Sequence, residues 1–147
     1  MRYETVTPIE GVKLCADILE ANYKESGTPG FDFCLHRETY EAVTFDGRSF
    51  AIVAFDGDKP VGVVSVFIYD DPHMSVLLAL NDTIYCLPEY RARGVGGQLF
   101  VRAEREARMR GCAAFLWQVG IGSPLDRALA RHSAPEQNCY IRRLALA

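Results

Sequence analysis

No stretch of this chain is apolar for the ~20 residues that a membrane-spanning helix needs. Its first residues, Met1-Arg2-Tyr3-Glu4, are of mixed polarity and do not read as a signal peptide. Metal chemistry has little to stand on. There are only 3 histidines, His36, His73 and His132, and they do not fall at metal-ligand spacing, so no metal is expected. A basic surplus is missing too: 16 Lys and Arg face 19 Asp and Glu, for a net charge of −3. Nucleic-acid binders usually carry positive excess, so nucleic acid is not an expected partner. The 5 cysteines (Cys15, Cys34, Cys86, Cys112 and Cys139) include no Cys-x-x-Cys pair. An odd, dispersed set reads as reduced thiols in a cytoplasmic protein, each first of all a small apolar residue. Linkers, repeats and low-complexity segments are also lacking. What is left is one globular domain over residues 1–147, 49% hydrophobic and 24% charged.

The periodicities point to a mixed α/β architecture. Tyr3 to Val6 alternates like a short strand. Thr7-Pro8-Ile9-Glu10 combines an N-cap, a proline for the first helical position and the acid of a capping box. Val12, Cys15, Ala16, Leu19 and Tyr23 then continue one apolar helical face. After the Gly27-Thr28-Pro29-Gly30 break, a second helix is expected over Arg37–Thr44, flanked by Phe31, Phe33 and Phe45. Phe50 to Phe55 and Val61 to Tyr69, joined by Asp56-Gly57-Asp58-Lys59-Pro60, predict a hairpin. Ser75 to Leu87 is long for one strand and predicts a bend or bulge near Asn81-Asp82, or two consecutive strands. Leu99, Phe100, Ala103 and Ala107 share a helical face ending at Gly111. Ala113–Val119 is a strand able to pair in parallel with the run ending at Leu87. A short helix after Ser123-Pro124 and a last strand over Asn138–Leu144 complete the chain.

Between the run ending at Leu87-Pro88 and the long helix lies Tyr90-Arg91-Ala92-Arg93-Gly94-Val95-Gly96-Gly97-Gln98-Leu99. A strand, a glycine-rich turn and a helix start in that order form an anion cradle. Glycines allow a tight turn, and the helix start adds unpaired N–H groups and a positive dipole end. Arg91 and Arg93 add charge. A dinucleotide loop needs Gly-x-Gly-x-x-Gly, but the third position is Leu99; a nucleotidase loop needs Gly-Lys-Ser/Thr, which Gly97-Gln98-Leu99 does not supply. Arg/Gln-x-x-Gly-x-Gly/Ala is matched by Arg91-Ala92-Arg93-Gly94-Val95-Gly96.

With its Pro88-Glu89-Tyr90 lead-in, its hairpin Phe50–Tyr69 and its helix to Arg110, the chain resembles the GNAT N-acetyltransferase superfamily. The resemblance implies a single domain with a central mixed sheet flanked by helices and splayed at a coenzyme A site. It implies that acetyl-CoA is the cosubstrate, with its pyrophosphate on the loop Arg91, Ala92, Arg93, Gly94, Val95, Gly96, Gly97 and Gln98. The backbone of Tyr85, Cys86 and Leu87 would pair with the pantetheine amides like an added strand. A homodimer is a further expectation, since domains of this kind often dimerise.

Acetyl transfer to an amine needs a neutral nucleophile and a proton for the departing thiolate. The resemblance places Asp82 where a base carboxylate often sits, although a local turn or bulge role fits it equally. The later helix carries no tyrosine to act as acid, its expected position falling near Ala130, and Ala134-Pro135 replaces the usual Gly-Phe. Tyr85, His132 and Tyr140 are the candidates to replace it, or the thiolate departs unassisted. An acetyl-Cys86 intermediate lacks an evident base. Glu25, Asp32, Asp70 and Asp71 lean toward a cationic acceptor such as a polyamine, aminoglycoside or lysine side chain. The alternative to an enzyme is a non-catalytic acyl-CoA sensor or partner-binding module.

Overall fold

The computed structural model describes residues 1–144. Five strands form a single mixed sheet in sequential order, β1 (Arg2–Val6), β2 (Phe50–Asp56), β3 (Lys59–Asp70), β4 (Leu77–Cys86) and β5 (Cys112–Leu116). The first four are antiparallel, and β5 joins β4 in parallel after a helical crossover. Helices α1 (Pro8–Leu14), α2 (Ala16–Ser26) and α3 (Arg37–Asp46) cover one face. The short α4 (Pro88–Arg91) leads into α5 (Val95–Met109), which covers the other, and α6 (Pro124–Leu129) follows β5.

Local chemistry explains most boundaries. Thr7 caps α1: its hydroxyl accepts the Glu10 N–H, and the Glu10 carboxylate accepts the Thr7 N–H at 2.9 Å. The single helix expected from Thr7 to Tyr23 is kinked at Cys15, which ends α1 and opens α2 while the bonds Cys15 N–H to Gly11 and Leu19 N–H to Cys15 persist. The kink lets Ile18 and Leu19 continue onto the sheet. Gly11 is where α1 meets β2, for a Cβ there would stand 2.7 Å from the Ala51 Cβ.

The sheet separates two apolar layers. Val12, Cys15, Ile18, Leu19, Val53, Phe55 and Val63 pack under α1 and α2. Phe50, Ile52, Val64, Val66, Ala79, Val95, Leu99 and Ala103 pack under α5. On β4 the side-chain alternation changes phase. Ala79 faces α5, and so do Ile84 and Cys86, which is impossible in a regular strand. The reason is a bulge: Ser65 pairs with Thr83 and Val66 with Asn81, leaving Asp82 as the extra residue. The bulge expected near Asn81-Asp82 is therefore present, within one continuous strand.

Two expectations are corrected. Asn138–Leu144 forms no strand: Tyr140, Ile141 and Leu144 are exposed, and the Arg143 side chain binds the Pro29 carbonyl instead. Its apolar residues find no sheet neighbour to bury them, so β propensity alone does not fix the segment. The expected strand Ala113–Val119 stops at Leu116, beyond which Trp117 stacks on Phe115 and Phe100. Along α5, Glu106 pairs with Arg110 at 2.8 Å, and Glu104 accepts the Trp117 indole N–H at 3.1 Å.

Leu99 is fully buried between α5 and the sheet. Leu99→Ala is expected to cost roughly 2–5 kcal/mol in chemical denaturation. Thr7→Ala, which removes only the α1 cap, is expected to cost about 1 kcal/mol. Equal losses in the two variants would contradict a core centred on α5.

Candidate active site

The parallel ladder between β4 and β5 ends early. Pairs run from Leu77↔Cys112 to Leu80↔Leu116, and β4 then continues to Cys86 with no strand on that side among the described residues. The buried Asn81 side chain stands at the divergence. Its Oδ1 accepts the Gln118 N–H at 2.6 Å, and its Nδ2 donates to the Gln118 carbonyl at 2.9 Å. An amide side chain thus imitates one rung of a ladder and pins the chain leaving β5. Beyond it, β4 offers an open edge. Leu87 donates its N–H to Val61 on β3. Alternation turns the backbone groups of Cys86 the other way, toward the opening.

The open edge leads to the glycine loop. Arg93 N–H bonds to the Tyr90 carbonyl and Gly94 N–H to the Arg91 carbonyl, so these donors are spent on the turn itself. Gly94 has φ 75°, a conformation that favours glycine, and is the N-cap of α5. The first α5 bond is Gln98 N–H to Gly94 carbonyl. The preceding N–H groups of Val95, Gly96 and Gly97 have no backbone acceptor among the described residues. No other residue comes within 4 Å of a Cβ built at Gly94 or Gly97, so the approach is open. A 15-residue helix adds its dipole there.

The two arginines of the loop do not point free charge at this opening. Arg91 binds Glu25 of α2 at 2.6 Å and stacks on the Tyr85 ring, and its Nε donates to the Cys86 carbonyl at 3.3 Å. Arg93 pairs with Asp56 at 3.1 Å beside the Tyr90 ring. The Arg91 and Tyr85 hydrogen bonds hold Glu25 below the usual carboxylate range, and Arg93 and Tyr90 do the same for Asp56. Anion attraction at the helix start therefore rests first on backbone N–H groups.

Asp82 and Thr83, made neighbours on one face by the bulge, both turn toward the first three helices. Thr83 accepts from Asn22 of α2 at 2.6 Å, and Tyr40 of α3 donates its hydroxyl to Asp82 Oδ2 at 2.9 Å. Solvent reaches Asp82, yet the crowding around it strips enough hydration to raise its pKa above the ordinary carboxylate value. The Tyr40 bond and the nearby Ser65 hydroxyl moderate that rise. Ser65 Oγ itself is buried and reaches no partner at hydrogen-bonding distance. Burial and the adjacent Asp82 push the Tyr40 phenol well above its usual range, so it stays a donor. Asp82 opens into a cavity of about 270 Å³, walled by Phe33, Leu35, Tyr40 and Phe67 with His36 and Thr39 at one side.

Of the candidate acids, Tyr85 donates its hydroxyl to Glu25 at 2.8 Å and is further up the same strand. His132 lies exposed after α6, with no side-chain hydrogen bond linking it to Asp82 or the loop among the described residues. Tyr140 is exposed on the irregular C-terminal segment. Cys86 is buried, and burial raises its thiol pKa, the opposite of an activated nucleophile. No group of three or more His, Cys, Asp or Glu able to hold a metal occurs among the described residues, and no helix there is long and apolar enough to cross a membrane. Sequence reasoning missed Asn81, Tyr40 and Phe67. Only the aromatic density near Phe31 and Phe33 hinted at the cavity, because partners 37 and 42 residues apart leave no local pattern.

A sequence profile of the acetyltransferase (GNAT) family matches residues 14–143. Among solved structures, the fold is similar to that of an aminoglycoside acetyltransferase, meta-AAC0020, from an uncultured soil metagenomic sample. The TM-score is 0.72 at 14% identity, covering 99% of this chain and 95% of that one. It is also similar to a ribosomal-protein-alanine N-acetyltransferase from Brucella melitensis biovar Abortus 2308, with TM-score 0.70, 18% identity, and coverage of 98% and 100%. A transcriptional regulator from Bacillus halodurans C-125 gives 0.68 at 18% identity, covering 97% and 99%. No sequence among curated proteins matches significantly. The structural likenesses speak for the fold; the profile spans most of the chain, and by it the protein belongs to the GNAT acetyltransferase family and is an acetyltransferase.

Proposed function

We propose that the protein moves the acetyl group of acetyl-CoA directly to a primary amine. The observation that supports this best is the convergence on β4 of an open backbone edge, a helix start whose first N–H groups have no backbone acceptor, and a carboxylate facing a separate cavity. The donor and acceptor thus have distinct approaches to one strand.

In this reading the N–H groups of Val95, Gly96 and Gly97 hold the pyrophosphate of acetyl-CoA, whose charges and acceptor oxygens suit a helix start. The other loop residues, Arg91, Ala92, Arg93 and Gln98, shape the turn and its rim. The pantetheine arm pairs along the open edge at Cys86, next to Tyr85 and Leu87. Asp82 lies roughly 13 Å along β4 from Cys86, at 3.3 Å per residue. Asp82 receives the proton that an incoming ammonium must lose. The neutral nitrogen attacks the thioester carbon, the C–N bond forms, and the C–S bond breaks. The departing sulphur takes the proton released by the nitrogen. Tyr85 is held by Glu25 in this geometry, so no dedicated acid is assigned.

Gly96→Glu is expected to weaken acetyl-CoA binding at least about tenfold in calorimetry, by bulk and like-charge repulsion. A Cβ at Gly96 makes only ordinary contact with Cys86 Sγ at 3.9 Å, so Gly96→Ala serves as a folded control. Unchanged affinity for Gly96→Glu would refute the loop as the donor site.

Asp82→Asn is expected to lower turnover by about a hundredfold or more while acetyl-CoA affinity is kept. Because the folded pKa of Asp82 is raised, the wild type loses stability as pH climbs from the ordinary carboxylate range through that raised value. Asp82→Asn removes this loss, so the variant should melt no lower than the wild type near neutrality. Full activity in Asp82→Asn would eliminate Asp82 as base, and acetyl-CoA binding with no turnover of any amine by the wild type would favour a sensor.

Tyr40→Phe removes a hydrogen bond that favours the Asp82 carboxylate. The acidic limb of its kcat/KM profile should therefore move to higher pH. A limb that stays in place would show that Asp82 does not set it.

A further inference from the structure

We infer that the acceptor is a small monoamine with an aromatic or branched aliphatic body, and not a polycation. This rests on the reading of Asp82 as the acceptor-side base.

The first ground is the cavity lining. Asp82 is the one acid among the residues around the 270 Å³ space, and Phe33, Leu35, Tyr40 and Phe67 supply its walls. That volume is near the lower end of small-molecule sites, which run from roughly 300 to 1,000 Å³. One ammonium fits such a site well. It meets Asp82 as counter-ion and the faces of Tyr40 and Phe67, which attract a cation through their ring quadrupoles. The same apolar surroundings ease its deprotonation. The rest of the molecule then fills apolar space. A polyamine or aminoglycoside would bring further ammonium groups against Phe33, Leu35 and Phe67, where no second carboxylate meets them and an apolar body makes the better contact.

The second ground is the fate of the neighbouring acids. Glu25 is bound by Arg91 and Tyr85. Asp70 accepts from Arg48 at 2.6 Å. Asp71 accepts the N–H groups of His73 and Met74, each at 2.9 Å. His36, beside the cavity, is tied to Thr39 at 2.9 Å. Of the acids that favour a cationic acceptor in the sequence, Asp32 alone keeps no side-chain partner among the described contacts. It lines an adjoining hollow of about 460 Å³ together with Tyr23, Phe31 and Ile141. That hollow shares Phe33 and Cys34 with the first, so the apolar surface continues outward.

The test compares phenethylamine and isoamylamine with putrescine and spermidine on the wild-type protein with acetyl-CoA. The monoamines should show kcat/KM about tenfold higher or more, the discrimination a single well-placed apolar group can give. Phe33→Asp, in a partly exposed loop, should narrow that ratio by offering putrescine a second carboxylate. A measurement independent of turnover is the shielding of Cys34, an exposed thiol of the cavity wall, from iodoacetamide. Read by peptide mass, phenethylamine should shield Cys34 at lower concentration than spermidine. Preferred acetylation of spermidine or putrescine would overturn the inference and leave amine acetylation standing. Acetyl-CoA binding with no amine acetylated and no amine shielding Cys34 would overturn both. Shielding by phenethylamine without its acetylation would uphold the monoamine site and remove only the catalytic reading.

Discussion

Everything distinctive in this fold depends on where β4 and β5 stop being neighbours. A parallel pair left to propagate would close the sheet and bury the edge at Ile84 and Cys86. Asn81 prevents this by taking both backbone groups of Gln118 into its own amide. The bond is nearly buried, so losing either half would leave a backbone group unsatisfied in a poorly hydrated place. The rung is therefore a stop as well as a link. It ends the ladder at Leu80 and fixes where the two strands part. The aromatic stack of Phe100, Phe115 and Trp117 holds the diverging segment from the α5 side.

The electrostatics follow from the same economy. Arg91 and Arg93 look like anion ligands in the sequence, and both are matched by carboxylates, Glu25 and Asp56, from distant parts of the chain. The loop is thereby braced on α2 at one end and on the β2–β3 hairpin at the other. A helix start whose first N–H groups have no backbone acceptor then presents them at a fixed place. Rigid dipoles need little rearrangement when charge arrives, whereas long side chains must be ordered first. On the acceptor side the balance is different. Asp82 is partly dehydrated and keeps a proton more readily than an exposed carboxylate, which brings it nearer to the acidity a general base needs.

What could be read from the residues alone was what is local. The capping box at Thr7 and Glu10, the hairpin around Gly57, the stop at Gly111 and the bulge by Asp82 each have their signature within a few residues. The glycine loop was legible because its pattern is dictated by one backbone turn. What could not be read was partner choice at long range. Arg91 finds Glu25 across 66 residues, Asp82 finds Tyr40 across 42, and Asn81 finds Gln118 across 37. Many acids and amides in the sequence fit those roles equally, and only packing selects among them. The C-terminal run failed for a related reason: Tyr140 and Ile141 suit a strand, but a strand exists only where a neighbour accepts it.

The extra residue in β4 has a wider consequence. Upstream of it the odd-numbered positions feed the α5 core, and downstream the even-numbered ones do. Each half of the strand is an ordinary amphipathic ribbon, but the two are half a period out of step. The core on both faces survives this slip because each half keeps its own rhythm. A carboxylate can then stand in the middle of a central strand without displacing a single apolar side chain from either layer. Removing one residue between Asn81 and Thr83 would do more than delete an acid. It would put one half of the strand back to front, sending polar Thr83 and Tyr85 into one core or Ala79 out of it.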